Sequence, residues 1–151
     1  MLEDIIHDKA FALLMKKHIK ELTGLLFEKE QNFGILCKIE DVSFVPELPE
    51  NINSEFRPLT LFFLAGYTFE TAIIDDDKMT FEAGFGNDNF GSVVSVPLLS
   101  ILQIIIDETP IFINISSYKE ETVNKTEIDE NGVENSMVAL LSNPENAKFI
   151  K

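Results

Sequence analysis

The residues that could do chemistry gather in the middle of the chain, where FEAGFGNDNFGSVVSVPLLSILQ runs from position 81 to 103. Gly84, Gly86 and Gly91 suggest a phosphate cradle, but they fit neither template. Between Gly86 and Gly91 stand more residues than a dinucleotide fingerprint allows, and a strand intervenes before any helix. A P-loop needs lysine after its last glycine, and Ser92 stands there. The glycines therefore predict a turn. Asp75, Asp76 and Asp77 offer three carboxylates, yet consecutive side chains point apart, and no glycine-centred loop or distal glutamate completes a calcium site. His7 and His18 both fall on the first predicted helix. His18 lies in its apolar stripe, where a packed or interface histidine is commoner than a catalytic one. Cys37 sits inside an apolar run as an inert buried thiol, and with no second cysteine it forms no internal disulfide. No serine occupies a nucleophile elbow, and no Cys/His cluster has ligand spacing. The expectation is a binding protein without enzyme activity, metal or cofactor.

The elements around that region read as α+β. Residues 2–27 carry Phe11, Leu14, Met15, Ile19, Leu22, Leu25 and Leu26 at spacings of three and four, predicting one long amphipathic helix. Leu2, Ile6 and Leu13 lie on another side of it and form a candidate dimer interface, although a helix simply buried on both sides reads equally well. The period then shifts toward two. A strand is expected over 33–40, and an extended connection through VPELPENI, whose prolines keep it out of any helix. Residues 59–74 are too long for one strand, so a break is expected near Gly66. The clearest strand covers 79–86, where Met79, Phe81, Ala83 and Phe85 alternate with Thr80, Glu82 and Gly84. Another follows over 92–96, then a short helix over 97–107 opened by Pro97, and a last strand over 110–115.

Composition bounds the function further. The chain has 151 residues, 45% of them apolar, with 13 phenylalanines, which is enough to build one core. Its net charge of −14 repels phosphate backbones and anionic lipid, so neither nucleic acid nor a membrane surface is an expected partner. No secretory signal is recognised at the amino terminus, and no apolar run approaches the roughly 20 residues of a membrane span, so a cytoplasmic location is expected. After residue 116 the chain turns polar, charged and aperiodic, which predicts a flexible acidic linker over 116–145. It carries an apolar island at 137–141 and ends in a basic–apolar peptide over 146–151.

Residues 59–86, LTLFFLAGYTFETAIIDDDKMTFEAGFG, followed by VVSVPLLSILQI at 93–104, resemble the SspB family of adaptors, which deliver tagged proteins to the ClpXP protease. The matching features are the acidic turn 75–77, the strand residues Phe81, Ala83, Phe85 and Gly86, and Val94, Ser95, Val96, Pro97 and Leu98 after it. The specific match spans about 59–106; the first 58 residues agree only in plan. The resemblance implies an amino-terminal helix used in dimer contacts and a small, partly open Sm-like β-barrel with a short helix, over 1–115. It also implies a flexible tail whose terminal peptide, Ala147, Lys148, Phe149, Ile150 and Lys151, docks on the ClpX unfoldase. The first helix is longer than the family's, the 87–91 loop differs in composition, and the tail is shorter.

On that basis the cargo would be ssrA-type tagged proteins or peptides, held by Phe81, Ala83, Gly84, Phe85, Val94, Ser95 and Val96 lining or supporting a groove. The small pair Ala83-Gly84 leaves room for another backbone to approach. Phe81 and Phe85 read equally as ordinary core. A rival reading is a small acidic dimeric secretion chaperone that holds a partly unfolded client.

Overall fold

A computed structural model of the chain describes residues 1–119. The amino-terminal helical pattern is two helices rather than one: α1 (Leu2–Ile6) and α2 (Lys9–Glu28). Asp8 breaks them. Its backbone is extended, and its carboxylate accepts the Phe11 N–H at 2.9 Å, capping α2. Leu2 and Ile6 therefore do not share a helix face with Leu13, as a continuous helix would require. The side of α2 that enters the core carries Ala12, Ile19, Thr23 and Leu26, while Leu14, His18 and Leu25 stay exposed. The sequence stripe was wider than the face the core takes.

Next come β1 (Phe33–Lys38), a single 3-10 turn (Ile39–Asp41) and β2 (Ser43–Val45). Past the cis Val45–Pro46 bond, Pro49 caps the one-turn helix α3 (Glu50–Asn53). That corrects the fully extended connection expected there: proline is barred from a helix interior but not from its start. Strand β3 (Leu59–Leu64) is followed by the expected break. Gly66 has φ +61°, a conformation glycine adopts freely, and it caps α4 (Tyr67–Glu70) before β4 (Ile73–Ile74). The acidic residues 75–77 turn the chain into β5 (Lys78–Phe85), and the glycine loop turns it again into β6 (Phe90–Pro97).

The helix expected over 97–107 is absent. Pro97 opens only a 3-10 turn (Leu98–Ser100), and Ile101–Ile106 form strand β7. An apolar run has the same signature in a buried strand and a buried helix. Here strands on both sides decide, because β7 pairs with β1 and with the last strand, β8 (Thr109–Ile113). Its β-branched isoleucines suit that position.

Two antiparallel four-stranded sheets result, in the orders β3-β1-β7-β8 and β2-β6-β5-β4. The chain crosses between them four times, at the two 3-10 turns and through the segments that carry α3 and α4. The core between them is built from Phe33, Ile35 and Cys37 of β1, Leu64 of β3, Ile101 and Ile104 of β7, Met79 and Phe81 of β5, and Val94 and Val96 of β6. Ile19 and Leu26 of α2 join them. The body continues past β8: Ser116 is buried, and the Ser117 N–H donates to the Ile6 carbonyl at 2.7 Å. Among the described residues no helix is long and apolar enough to cross a membrane.

Cys37 is fully buried, and burial, with the charge of Asp41 beside it, pushes its thiol up to about 12 from 9.0. Its stabilising effect is complete below pH 9, where folded and unfolded thiols are both neutral. It is lost as pH climbs from 9 toward 12, because the unfolded thiol ionises first. Iodoacetamide at pH 8 should leave the native protein unlabelled over hours and modify the urea-unfolded chain within minutes; equal labelling of both would place the thiol at the surface.

Candidate functional site

Two hollows compete for attention. One, of about 570 Å³, lies between α2 and the acidic turn, lined by Lys16, Lys17, Lys20, Asp76 and Asp77 among others. Its charges are mostly spent on one another. Lys16 Nζ sits 2.7 Å from Asp77, and Lys20 pairs with Asp76. The hydrogen bond and charge of Asp76 push Lys20 up, and backbone N–H groups of Asp77 and Lys78 donate to Asp75 and hold it down. The aspartates of both pairs are exposed, and solvent screens such pairs so that they add little stability. They fasten the turn to the helix and leave little to offer a ligand. Among the described residues no group of three His, Cys, Asp or Glu could hold a metal ion.

The second hollow, of about 610 Å³, lies over the second sheet. Its floor is the middle of the β5–β6 hairpin, where Glu82 faces Val93, Ala83 faces Ser92 and Gly84 faces Gly91. One wall is the end of β2, Val45 and Pro46, tied to the floor by Ser92 Oγ donating to the Pro46 carbonyl at 2.8 Å. The opposite wall is the break after β3, with Ala65, Tyr67 and Thr68. Thr68 Oγ accepts the Ala65 N–H at 2.9 Å and donates to the Phe63 carbonyl at 2.8 Å, so this wall is fixed by its own turn. The Tyr67 hydroxyl donates to Glu82 at 2.5 Å; that bond and the carboxylate's charge raise the phenol above its usual range.

The backbone of β5 gives the cleft its character. Strand β5 has eight residues, but β4 covers only Met79 and Thr80 on that side. In an antiparallel ladder, alternate residues turn N–H and C=O to the same side, so Glu82 and Gly84 point the way Thr80 does, away from β6. The Glu82 N–H is satisfied by the Thr71 hydroxyl at 2.9 Å. Beyond it, among the described residues, no strand lies alongside Gly84. A short stretch of sheet edge thus opens beside the cleft, and unpaired edges are ready templates for another chain. Gly84 brings no side chain of its own. A Cβ there would come within 1.8 Å of the Asn89 amide oxygen, which lies over it from the hairpin turn, where Asn89 has φ +54°.

The residues expected to form the groove divide between cleft and core. Ala83 and Gly84 line the cleft. Phe81, Val94 and Val96 are 1%, 0% and 0% exposed and face the core, with the Phe81 ring edge-on to Phe62 at 5.7 Å. Phe85 is half-buried against Phe44 and Phe56, and Ser95 is half-buried opposite Thr80 and Ser43. Glu82 and Val93 were missed, although the alternation that sends Phe81 and Val94 inward sends them outward. Val45, Pro46, Tyr67 and Thr68 carry no such signal; the fold brings them in. Of the residues expected at a dimer interface, Leu2 and Leu13 are 64% and 46% exposed and Ile6 is half-buried. Ala147, Lys148, Phe149, Ile150 and Lys151 lie outside the described residues, as do positions 120–145. Compared with protein-family models, curated proteins and solved structures, the chain matches none.

Proposed function

We propose that this protein is a non-enzymatic adaptor that holds an extended, unfolded peptide in the cleft over β5 and β6 and presents it to a protease. The observation that supports this most directly is the open edge at Gly84 beside a walled, partly apolar floor. Strand addition there supplies main-chain hydrogen bonds for affinity, while Val45, Val93 and Tyr67 contact alternate side chains. The cleft holds one carboxylate, a phenol, an amide and small or apolar groups, a set suited to gripping a chain.

In this reading the peptides are ssrA-type degradation tags, the protein works as a cytoplasmic homodimer, and residues 147–151 dock on the ClpX unfoldase, as the resemblance to SspB implies. A fluorescein-labelled ssrA-type tag titrated against the full chain tests the cargo half. Gly84→Trp should weaken that binding at least tenfold, since one such side chain would displace Asn89 and fill the floor, at little cost to a site already exposed. Unchanged affinity with an intact thermal transition would place the peptide elsewhere.

A second reading, the acidic chaperone, has one observation in its favour. The outer face of the first sheet exposes Leu59, Leu61 and Phe63 on β3 and Ile111 and Ile113 on β8. They sit on the two edge strands of that sheet, with β1 and β7 between them. Stoichiometric capture of an unfolded client that Phe63→Lys abolishes and Gly84→Trp spares would favour it.

A further inference from the structure

The cleft has a charge preference built into it. Among its lining residues Glu82 is the one carboxylate, and no lysine, arginine or histidine accompanies it. The Tyr67 hydroxyl is a neutral donor to one carboxylate oxygen. Three ion pairs among the described residues, Met1 with Asp4, Lys16 with Asp77 and Lys20 with Asp76, lie elsewhere. Glu82 stands exposed on the outer face, and among the residues that line the cleft no cation balances it. It also sits at the start of the open edge of β5, two residues before Gly84, and on that face its neighbour across the hairpin is the apolar Val93.

The edge at Glu82 itself is taken by Thr71, so a chain added at Gly84 places one side chain diagonally from Glu82, with Cβ atoms about 7 Å apart and within reach of a long side chain. A carboxylate there would be repelled and a neutral residue tolerated; an ammonium or guanidinium would reach the free oxygen. Resting on the peptide-binding reading above, we infer that the cleft selects an extended peptide that sets a lysine or arginine beside Glu82. The net charge of −14 adds a general pull on any cationic peptide, but that pull is long-range and screened by salt. A contact at Glu82 is local and position-dependent.

The two can be separated by fluorescence anisotropy in 150 mM salt. The probes are labelled ten-residue peptides of Ser, Thr, Val and Tyr, in which a single Lys, Gln or Glu is walked along the sequence. At one position the Lys peptide should bind about fivefold more tightly than the Gln peptide, the upper range for an opposite-charge pair across strands. The Glu peptide should be weaker again. Glu82→Gln, which can keep the Tyr67 hydrogen bond, should erase the difference, and Glu82→Lys should invert it. Peptides that bind equally well with Lys, Gln or Glu at every position would overturn the charge selection and leave the groove standing. A Lys preference that survives Glu82→Gln would overturn it too, assigning the effect to net charge. If none of the peptides bound, the peptide reading would fall, and this inference with it.

Discussion

Phe81→Ala lowers the unfolding free energy by about 3–5 kcal/mol, the range for truncating a buried phenylalanine. The ring is 1% exposed. It lies edge-on to Phe62, and its strand partner Val94 is fully buried beside it. Removing it leaves a cavity that stiff β-sheet neighbours cannot close, so the lost transfer energy and the lost packing add. Domains of this size are stable by about 5–15 kcal/mol, so the variant would sit near its limit at 37 °C. Urea denaturation followed by circular dichroism measures the effect as a lower midpoint with an unchanged slope. The same experiment separates two roles. A midpoint equal to wild type, together with lost peptide binding, would mean that the ring belongs to the cleft and not to the core.

If the proposed function holds, removing residues 147–151 should leave tag binding within about twofold of the full chain and abolish accelerated delivery to the unfoldase. The reasoning is one of local concentration. A coil of about thirty residues, the length expected between the body and the terminal peptide, spans an r.m.s. distance of about 30 Å. A tether of that length holds cargo near the millimolar range, which at micromolar adaptor is an advantage on the order of a hundredfold or more. The measurement is the degradation rate of a tagged fluorescent protein at limiting concentration, with the anisotropy titration as its partner. Full acceleration by the truncated chain would remove the tether from the proposal; loss of tag binding would mean that those residues help build the cleft.

Where the sequence was easy to read, local and tertiary preferences agreed. The alternation in residues 79–85 gave β5 and its inward phenylalanines, and the length of 59–74 called for the break that Gly66 supplies. Asp75 formed the expected turn, with its carboxylate accepting the backbone N–H groups of Asp77 and Lys78. The failures have a common cause. Residues 98–106 are apolar throughout, and an apolar run shows no period that separates a helix from a strand paired on both sides. The helix break at Asp8 was hidden because apolar residues recur at helical spacing on both sides of it, while one capping side chain was enough to end the pattern.

The site shows the same division. That something could lie close to the backbone at Ala83-Gly84 was visible in the sequence, since small residues in an otherwise bulky strand leave room. That Phe81, Val94 and Val96 are core was already implied by their parity.

From the residues alone come an acidic α+β body with a phenylalanine-rich core, a hairpin turned by glycines, and a chain whose character changes after the last strand. These follow from composition and from periods of two and 3.6, which are local properties. The walls of the cleft, the ion-paired fastening of the acidic turn to α2, and the edge left open because β4 stops short come from segments far apart in the chain. No local pattern encodes such meetings; they are set by which strands find one another as the two sheets close on their shared core.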